Sequence, residues 1–404
     1  DDKIQLKYPK FRFGYAKRAM DHSISETGLG GTTPVYTASF DAVINKQEYD
    51  LQATIFSASI DGSADGAAFT GSVGKTTTRE LIRAILSPLG EIVSSRGNEN
   101  NDVGVPKTLL RGSETDAAFV LEMGMRGLGQ IERLSRVAEP DIAVITNVGQ
   151  AHIGILGSRE NIAKAKSEIT SNLRSDGVVI IPFGDNLLEK ALLEKWSGRI
   201  VRVEIEGFSL NWLDCNNEHF AFQDIEPDYI SQIDMQNNFI FFEGSKFKLP
   251  LEGRHNAMNF LLALTVATEL GLSIKNLDQL KINMPMGRNR LVDCGQYLVL
   301  DETYNASPES VIASLELLVS KPGRHFAVLG TMLELGSESI SLHQKVLKRA
   351  VAQQPISVAI QANLSSLHFY KSGIYQDPDE QLCEHYGIDY NQVNCIEALN
   401  FCAI

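Results

Sequence analysis

The chain has 404 residues, enough for two or three domains that each bury a core, and its 43% hydrophobic and 22% charged content is that of a soluble globular protein. A net charge of −13 argues against a nucleic-acid partner, which needs clustered Lys and Arg, and neither a membrane-spanning apolar run nor a signal-peptide pattern is present. Five scattered cysteines without a C-x-x-C pair favour neither a disulfide framework nor a zinc site, so a reducing, cytoplasmic setting is expected.

In chain order, residues 1–65 come first, a weakly patterned N-terminal region rich in Gly, Thr and Ser around GLGGTTP. From residue 66 short apolar runs alternate with helical patterns. Strands are expected at 117–122 (AAFVLE), 141–146 (DIAVIT) and 177–182 (GVVIIP), with a weaker one at ADGAAF just before residue 70. Residues 76–89 carry the 3.6-residue period and end at Gly90, as a helix C-cap would. Continuous apolar strands separated by helices predict a doubly wound parallel sheet covered on both faces.

Residues 198–250 change character. FSLNW, HFAF and NNFIFF are short, aromatic and separated by Asn, Asp and Gly, which predicts a small antiparallel section. A long helix is expected over 256–270, closed by Gly271, and then MPMGRNR reads as a hinge. A second alternating series follows, with strands at 297–301, 325–330 and 357–360 and helices at 308–319 and 338–352. The expected organisation is an N-terminal region (1–65), a central α/β domain (66–284) and a smaller Rossmann-like α/β domain (285–404).

The stretch TGSVGKTTT (70–78) has the form of a phosphate-binding loop, although Phe69 stands where G-x-x-x-x-G-K-[ST] has its first glycine. Gly71 and Gly74 free backbone N–H groups to face an anion, and the start of the next helix adds positive potential. Lys75 would then reach the outer phosphates and Thr76 would ligate Mg²⁺. A glycine turn with a chance lysine has the same local pattern. Glu122 ends one strand, and Asn147 and His152 follow the next, so all three fall on the strand edge where open α/β sheets bind ligands. Lys164 and Lys166 lie in a helical segment whose plain reading is a solvated face near Glu168.

Nine segments in this order resemble the Mur ligase family, the ATP-dependent amino-acid ligases of peptidoglycan synthesis. They are TGSVGKTTT (70–78), GNENNDVGVPKTLL (97–110), VLEMGMRGLGQI (120–131), ITNVGQAHIGILGS (145–158), AKAKSEI (163–169), GRHNAMN (253–259), GRNR (287–290), LDETYNASPES (300–310) and VLGTMLELG (328–336). Family loops read T-G-x-x-G-K-T-T, so Phe69 is no departure by that standard. Within the family, GNENNDVGVP and DETYNASPES look most like the branch that adds D-Ala-D-Ala to UDP-N-acetylmuramoyl-tripeptide. More distant likenesses leave room for a ligase of another acid or a regulatory homologue.

The resemblance implies a role for each matched residue. ATP would be held by Gly71, Ser72, Val73, Gly74, Lys75, Thr76 and Thr77, with Asn147 supporting that edge. His255 and Asn256 would contact adenine, and Arg288, Asp301, Tyr304 and Asn305 would close over the nucleotide. Two Mg²⁺ ions would be held by Thr76, Glu122, His152 and Lys166, the last carbamylated by CO₂ into an oxygen ligand. Lys75, Lys166, His152 and Arg288 would be the catalytic set, and Asn98, Asn100 and Asn101 would meet the nucleotide-sugar peptide. Its partners would be that peptide and a dipeptide, and the chain is expected to act as a monomer. Departures from the family lie at the ends: residues 1–69 lack its D-[ST]-R, and the late K-[GS]-S-R stretch is absent.

Overall fold

The computed structural model describes residues 12–16, 35–44, 47–56, 65–113, 115–208, 222, 224–275, 277, 280–295, 297–352 and 356–361. The N-terminal part is more regular than its composition promised. Strands β1 (Arg12–Ala16), β2 (Val35–Ile44) and β3 (Gln47–Phe56) make an antiparallel sheet in the order β1-β2-β3. The signal was present in VYTASFDAVI and QEYDLQATIF, which are rich in β-branched and aromatic residues and separated by two residues, as hairpin strands are.

The central domain is built on a nine-stranded sheet. Its members are β4 (Asp65–Thr70), β5 (Ile92–Ser94), β6 (Ala118–Glu122), β7 (Ile142–Ile145), β8 (Val178–Pro182), β9 (Arg199–Ile205), β10 (Tyr229–Asp234), β11 (Phe239–Phe242) and β12 (Ser245–Lys248). They lie in the order β12-β11-β10-β9-β8-β7-β4-β6-β5. Strands β4 to β10 pair in parallel, and only β11 and β12 are antiparallel. The antiparallel pairing expected for NNFIFF is found at β11, between β10 and β12. Residues 199–205 (RIVRVEI) extend the parallel sheet instead, with Val201, Val203 and Ile205 fully buried and Arg202 paired with Glu189. Most of FSLNW and HFAF lies outside the described residues.

Strand β4 sits between β6 and β7, so the chain leaves it in opposite directions to build the two halves of the sheet. Such a switch point opens a crevice beyond the C-terminal ends of the strands. Helix α1 (Lys75–Leu86) starts there. It stops before the expected residue 89 because Pro88 has no N–H to continue the ladder. Ser87 Oγ instead donates to the Ala84 carbonyl at 2.9 Å, and a 3₁₀ turn (Ser87–Leu89) carries the chain to Gly90.

Helix α2 is Gly104–Leu109, α3 Gln130–Ala138, α4 Ile153–Leu156, α5 Arg159–Ser167 and α6 Asn186–Leu193. The expected long helix is α7 (Arg254–Glu269), buried over most of its surface, as its nearly uniform apolar sequence requires. It packs beside α1 on one face of the sheet, where Phe69, Leu81, Ile85, Phe260 and Leu264 share a core. On the other face Leu121, Ile131, Ile145 and Ile162 form a second core, which continues into Ile312, Met332 and Leu335 of the C-terminal region.

That region holds an antiparallel pair, β13 (Arg290–Asp293) and β14 (Leu298–Asp301), then α8 (Pro308–Val319), β15 (His325–Gly330), α9 (Ser339–Ala352) and β16 (Ile356–Gln361). Strands β15 and β16 are parallel, and β13 adds a partner to β14 that the sequence pattern had not shown. Among the described residues no helix is long and apolar enough to cross a membrane.

Candidate functional site

The loop from Gly71 to Gly74 joins the end of β4 to α1, and its shape depends on glycine. A Cβ at Gly71 would lie 1.8 Å from Thr146 Oγ1. Gly74 caps the helix with φ 83°, and a Cβ there would lie 2.5 Å from Asn259 Oδ1 on α7. Asn147, just beyond β7, clamps the loop from the side. Its Oδ1 accepts from the N–H groups of Ser72 and Val73 at 3.1 and 3.0 Å, and its Nδ2 donates to the Val73 carbonyl at 3.0 Å. Thr146 Oγ1 donates to the same carbonyl at 2.6 Å. Two amides of the loop, those of Ser72 and Val73, are thus tied to Asn147, and the first turn of α1 offers further N–H donors for an anion. Lys75 Nζ donates to the Gly71 carbonyl at 2.8 Å. Burial lowers the pKa of this ammonium, Glu122 opposes the shift, and Arg288 reinforces it.

Glu122, at the end of β6, is 2% exposed. Its Oε2 accepts from Thr76 Oγ1 at 3.0 Å and from Arg79 Nη1 at 3.1 Å, and its Oε1 accepts from Asn100 Nδ2 at 2.9 Å. Arg79, wholly buried, also donates to the Gly97 carbonyl at 3.0 Å, so it joins α1, Glu122 and the 97–101 loop. It escaped the sequence reading, although Thr76 and Arg79 at i and i+3 share a helix face. Asn101 Oδ1 accepts from the N–H groups of Val103 and Gly104 at 3.1 and 2.9 Å, and Asn98 is exposed. Two of the three asparagines expected at the substrate therefore spend their side chains within this loop or on Glu122.

The two lysines of AKAKSE separate, as residues two apart on a helix must. Lys164 is exposed, whereas Lys166 is 1% exposed and has no hydrogen-bond or ion-pair partner among the described residues. Burial holds its pKa well below the usual lysine range; Lys75 pushes the same way and Glu309 opposes. The solvated-face reading fails for Lys166 and for Glu168, which is buried and accepts from the Gly129 N–H at 2.7 Å. His152 takes a left-handed backbone (φ 70°) and its Nδ1 meets Glu334 Oε2. Burial lowers the His152 pKa more strongly than the contact with Glu334 raises it.

The C-terminal region brings further matched residues. Arg288 stacks 3.9 Å over the ring of Tyr304. Asp301 accepts from Thr303 Oγ1 at 2.7 Å, which lowers its pKa, and from the Gly287 N–H at 3.2 Å, pinning the hinge. Its neighbour Glu302, which the motif reading passed over, is pushed up to about 7 by burial, against the pull of Arg288. Asn305 is exposed. Glu309, on the first turn of α8, accepts from the Gln150 N–H at 2.7 Å; its Oε2 is buried with no hydrogen-bond partner among the described residues. Near the start of α7, Asn256 Nδ2 donates to the Glu252 carbonyl at 2.6 Å, and burial brings His255 down to about 4, leaving it neutral.

The donors fit a metal that arrives with a phosphate. Mg²⁺ takes hard oxygen ligands and fills its octahedron with phosphate and water, and Thr76 and Glu122 offer such oxygens 3.0 Å apart. Among the described residues no group of three or more His, Cys, Asp or Glu could hold an ion alone.

A family model described as the Mur ligase middle domain matches residues 69–267. A curated UDP-N-acetylmuramoyl-tripeptide--D-alanyl-D-alanine ligase from Synechocystis sp. is 42% identical over 280 residues, covering 69% of this chain and 57% of its own length. A ligase of the same name from Mycobacterium leprae is 31% identical over 348 residues, 80% of this chain and 67% of its own. The chain belongs to the Mur ligase family. Its large, mostly parallel sheet is that of Mur ligase structures. The crystal structure of MurF ligase from Thermotoga maritima in complex with ADP matches with a TM-score of 0.62 at 28% identity, over 73% of this chain and 66% of that one. This Mur ligase chain thus spans less than three fifths of the Synechocystis relative. A second model, that of the papain family cysteine proteases, matches residues 331–392, of which 353–355 and 362–392 lie outside the described residues.

Proposed function

We propose that the chain carries the ATP-binding and catalytic part of a ligase that joins D-Ala-D-Ala to UDP-N-acetylmuramoyl-tripeptide through an acyl phosphate. The observation that carries this reading is the meeting of Lys75, Thr76 and Glu122 at one switch point of the sheet, with Thr76 Oγ1 3.0 Å from Glu122. The names of the Synechocystis and Mycobacterium leprae relatives supply the substrate class, and the ADP in the Thermotoga maritima structure supports ATP use. On this reading residues 1–65 belong to substrate binding, 66–284 to the ATP-binding domain and 285–404 to a Rossmann-like domain. The enzyme works in the cytoplasm, where ATP is available.

The residues divide the work by charge. A substrate carboxylate must approach the γ-phosphate, anion against anion, and Lys75 and Arg288 offset that repulsion while the first turn of α1 orients the phosphates. Lys75 leaves the Gly71 carbonyl to do so. The carboxylate oxygen bonds to phosphorus and ADP departs; the incoming amine then attacks the acyl carbon, and phosphate leaves with that oxygen. Arg288, Asp301, Tyr304 and Asn305 close over the nucleotide, beside His255 and Asn256, and exclude water from the acyl phosphate.

Thr76 and Glu122 would hold one Mg²⁺, and His152 with carbamylated Lys166 a second. Bound there, the ions neutralise phosphate charge. The burial that lowers the Lys166 pKa supports the carbamate, because only a neutral amine attacks CO₂. The test is phosphate release from ATP with UDP-N-acetylmuramoyl-tripeptide and D-Ala-D-Ala, each omitted in turn. Release should require both. Release indifferent to either one would contradict the substrate assignment.

A further inference from the structure

His152 belongs to the central domain and Glu334 to the loop after β15, 182 residues further on. The two side chains meet through His152 Nδ1 and Glu334 Oε2. Around them the two loops interlock. The Gly154 N–H donates to the Glu334 carbonyl at 2.9 Å, and Gly336 packs so closely that a Cβ on it would lie 2.7 Å from Gly154 Cα. Glu334 Oε1 also lies 3.5 Å from Arg126 Nε. Both members of the pair have left-handed backbones, φ 70° at His152 and φ 62° at Glu334. Side-chain-bearing residues rarely adopt that conformation, and it persists where the surroundings over-determine it, commonly at functional sites.

The chemistry of the contact is directional. A carboxylate only accepts, so Nδ1 must carry the proton and donate it. In a neutral imidazole the other nitrogen, Nε2, is then the bare lone pair, the form a metal ligand requires. Carboxylate partners of this kind orient metal-binding histidines and fix their tautomer. We infer that Glu334 is a positioning residue for His152: docking of the C-terminal loop selects the Nδ1–H tautomer and presents Nε2 to the metal. The inference rests on the reading of His152 as a metal ligand. It adds that a site lying wholly in the central domain acquires its geometry only when the C-terminal domain is seated.

The test uses the full chain and three variants. Glu334→Gly removes the carboxylate, and glycine accepts φ 62° without strain, so thermal unfolding should show the fold retained. Glu334→Gln keeps an acceptor for Nδ1–H. His152→Ala tests the underlying metal role. In the metal-free protein, nitrogen NMR of labelled histidine should show His152 protonated at Nδ1 in the parent and in Glu334→Gln, and the Nε2–H form gaining in Glu334→Gly. Mn²⁺ affinity in the presence of ADP, followed by the resonance of free Mn²⁺, should fall roughly 10- to 100-fold in Glu334→Gly and recover in Glu334→Gln. If His152→Ala weakens Mn²⁺ binding while Glu334→Gly leaves it and the tautomer unchanged, the positioning role is wrong and the metal role stands. If His152→Ala binds Mn²⁺ as the parent does, the metal role fails and the inference falls with it.

Discussion

A lysine sealed from water, with no carboxylate at hydrogen-bond distance, gives up its proton easily and becomes a nucleophilic amine. Lys166 is 1% exposed with no hydrogen-bonded carboxylate among the described residues, and burial, reinforced by Lys75 and opposed by Glu309, holds its pKa well below the usual lysine range. As an ammonium it would repel Mg²⁺; as a carbamate it would supply oxygens. Lys166→Ala should therefore lower ligase turnover by at least about a hundredfold, the scale of losing a metal ligand. Short carboxylates such as acetate or formate should restore part of the activity by filling the space with oxygen donors. Loss without rescue would leave Lys166 a structural lysine. The motif AKAKSE identifies this residue only through family likeness, because two lysines two apart look equivalent on paper. What separates them is the helix turn that buries one and exposes the other, and that depends on packing.

Among the elements, the glycine turn before α1 was the most legible feature, because contiguous residues set its shape. Its supports were not legible. Asn147 and Thr146 act on the loop from some 75 residues away, and no local pattern shows that they would. The same division holds for the fold. Apolar runs marked β6, β7 and β8, and Gly90 marked the end of the first helical segment, although Pro88 ended the α-helix itself three residues early. Residues 199–205 were missed as a parallel strand, since periodicity shows which face is buried but not which neighbour a strand pairs with. The loop's tight seat gives an element-level prediction. Gly71→Ala should destabilise the protein by about 1–3 kcal/mol, the usual cost of forcing an extra carbon into a packed site, and should weaken ATP binding. Adding Thr146→Ala removes the atom 1.8 Å from the new Cβ and should recover part of the stability in denaturant titrations. A Gly71→Ala protein as stable as the parent would show that the loop is looser than described.

On the scale of the whole molecule, the proposed site is divided between two parts of the chain. The central domain brings Lys75, Thr76, Glu122 and Lys166 to one sheet edge. The C-terminal region adds Arg288, the half-buried Glu302, Glu309 on the Gln150 amide and Glu334 on His152. Glu309 and Glu334 act 159 and 182 residues from their partners, which is why PES and LELG read as mere family words in the sequence. Closure of one part on the other would suit the proposed reaction, whose acyl phosphate must be kept from water. In the proposed reaction the carboxylate is activated by phosphoryl transfer. The most direct measurement places an oxygen isotope in the tripeptide carboxylate of UDP-N-acetylmuramoyl-tripeptide and follows it through one turnover with ATP and D-Ala-D-Ala. An acyl-phosphate route predicts labelled inorganic phosphate, with unlabelled ADP as the other product. Label appearing in AMP, or phosphate released without label, would contradict the account.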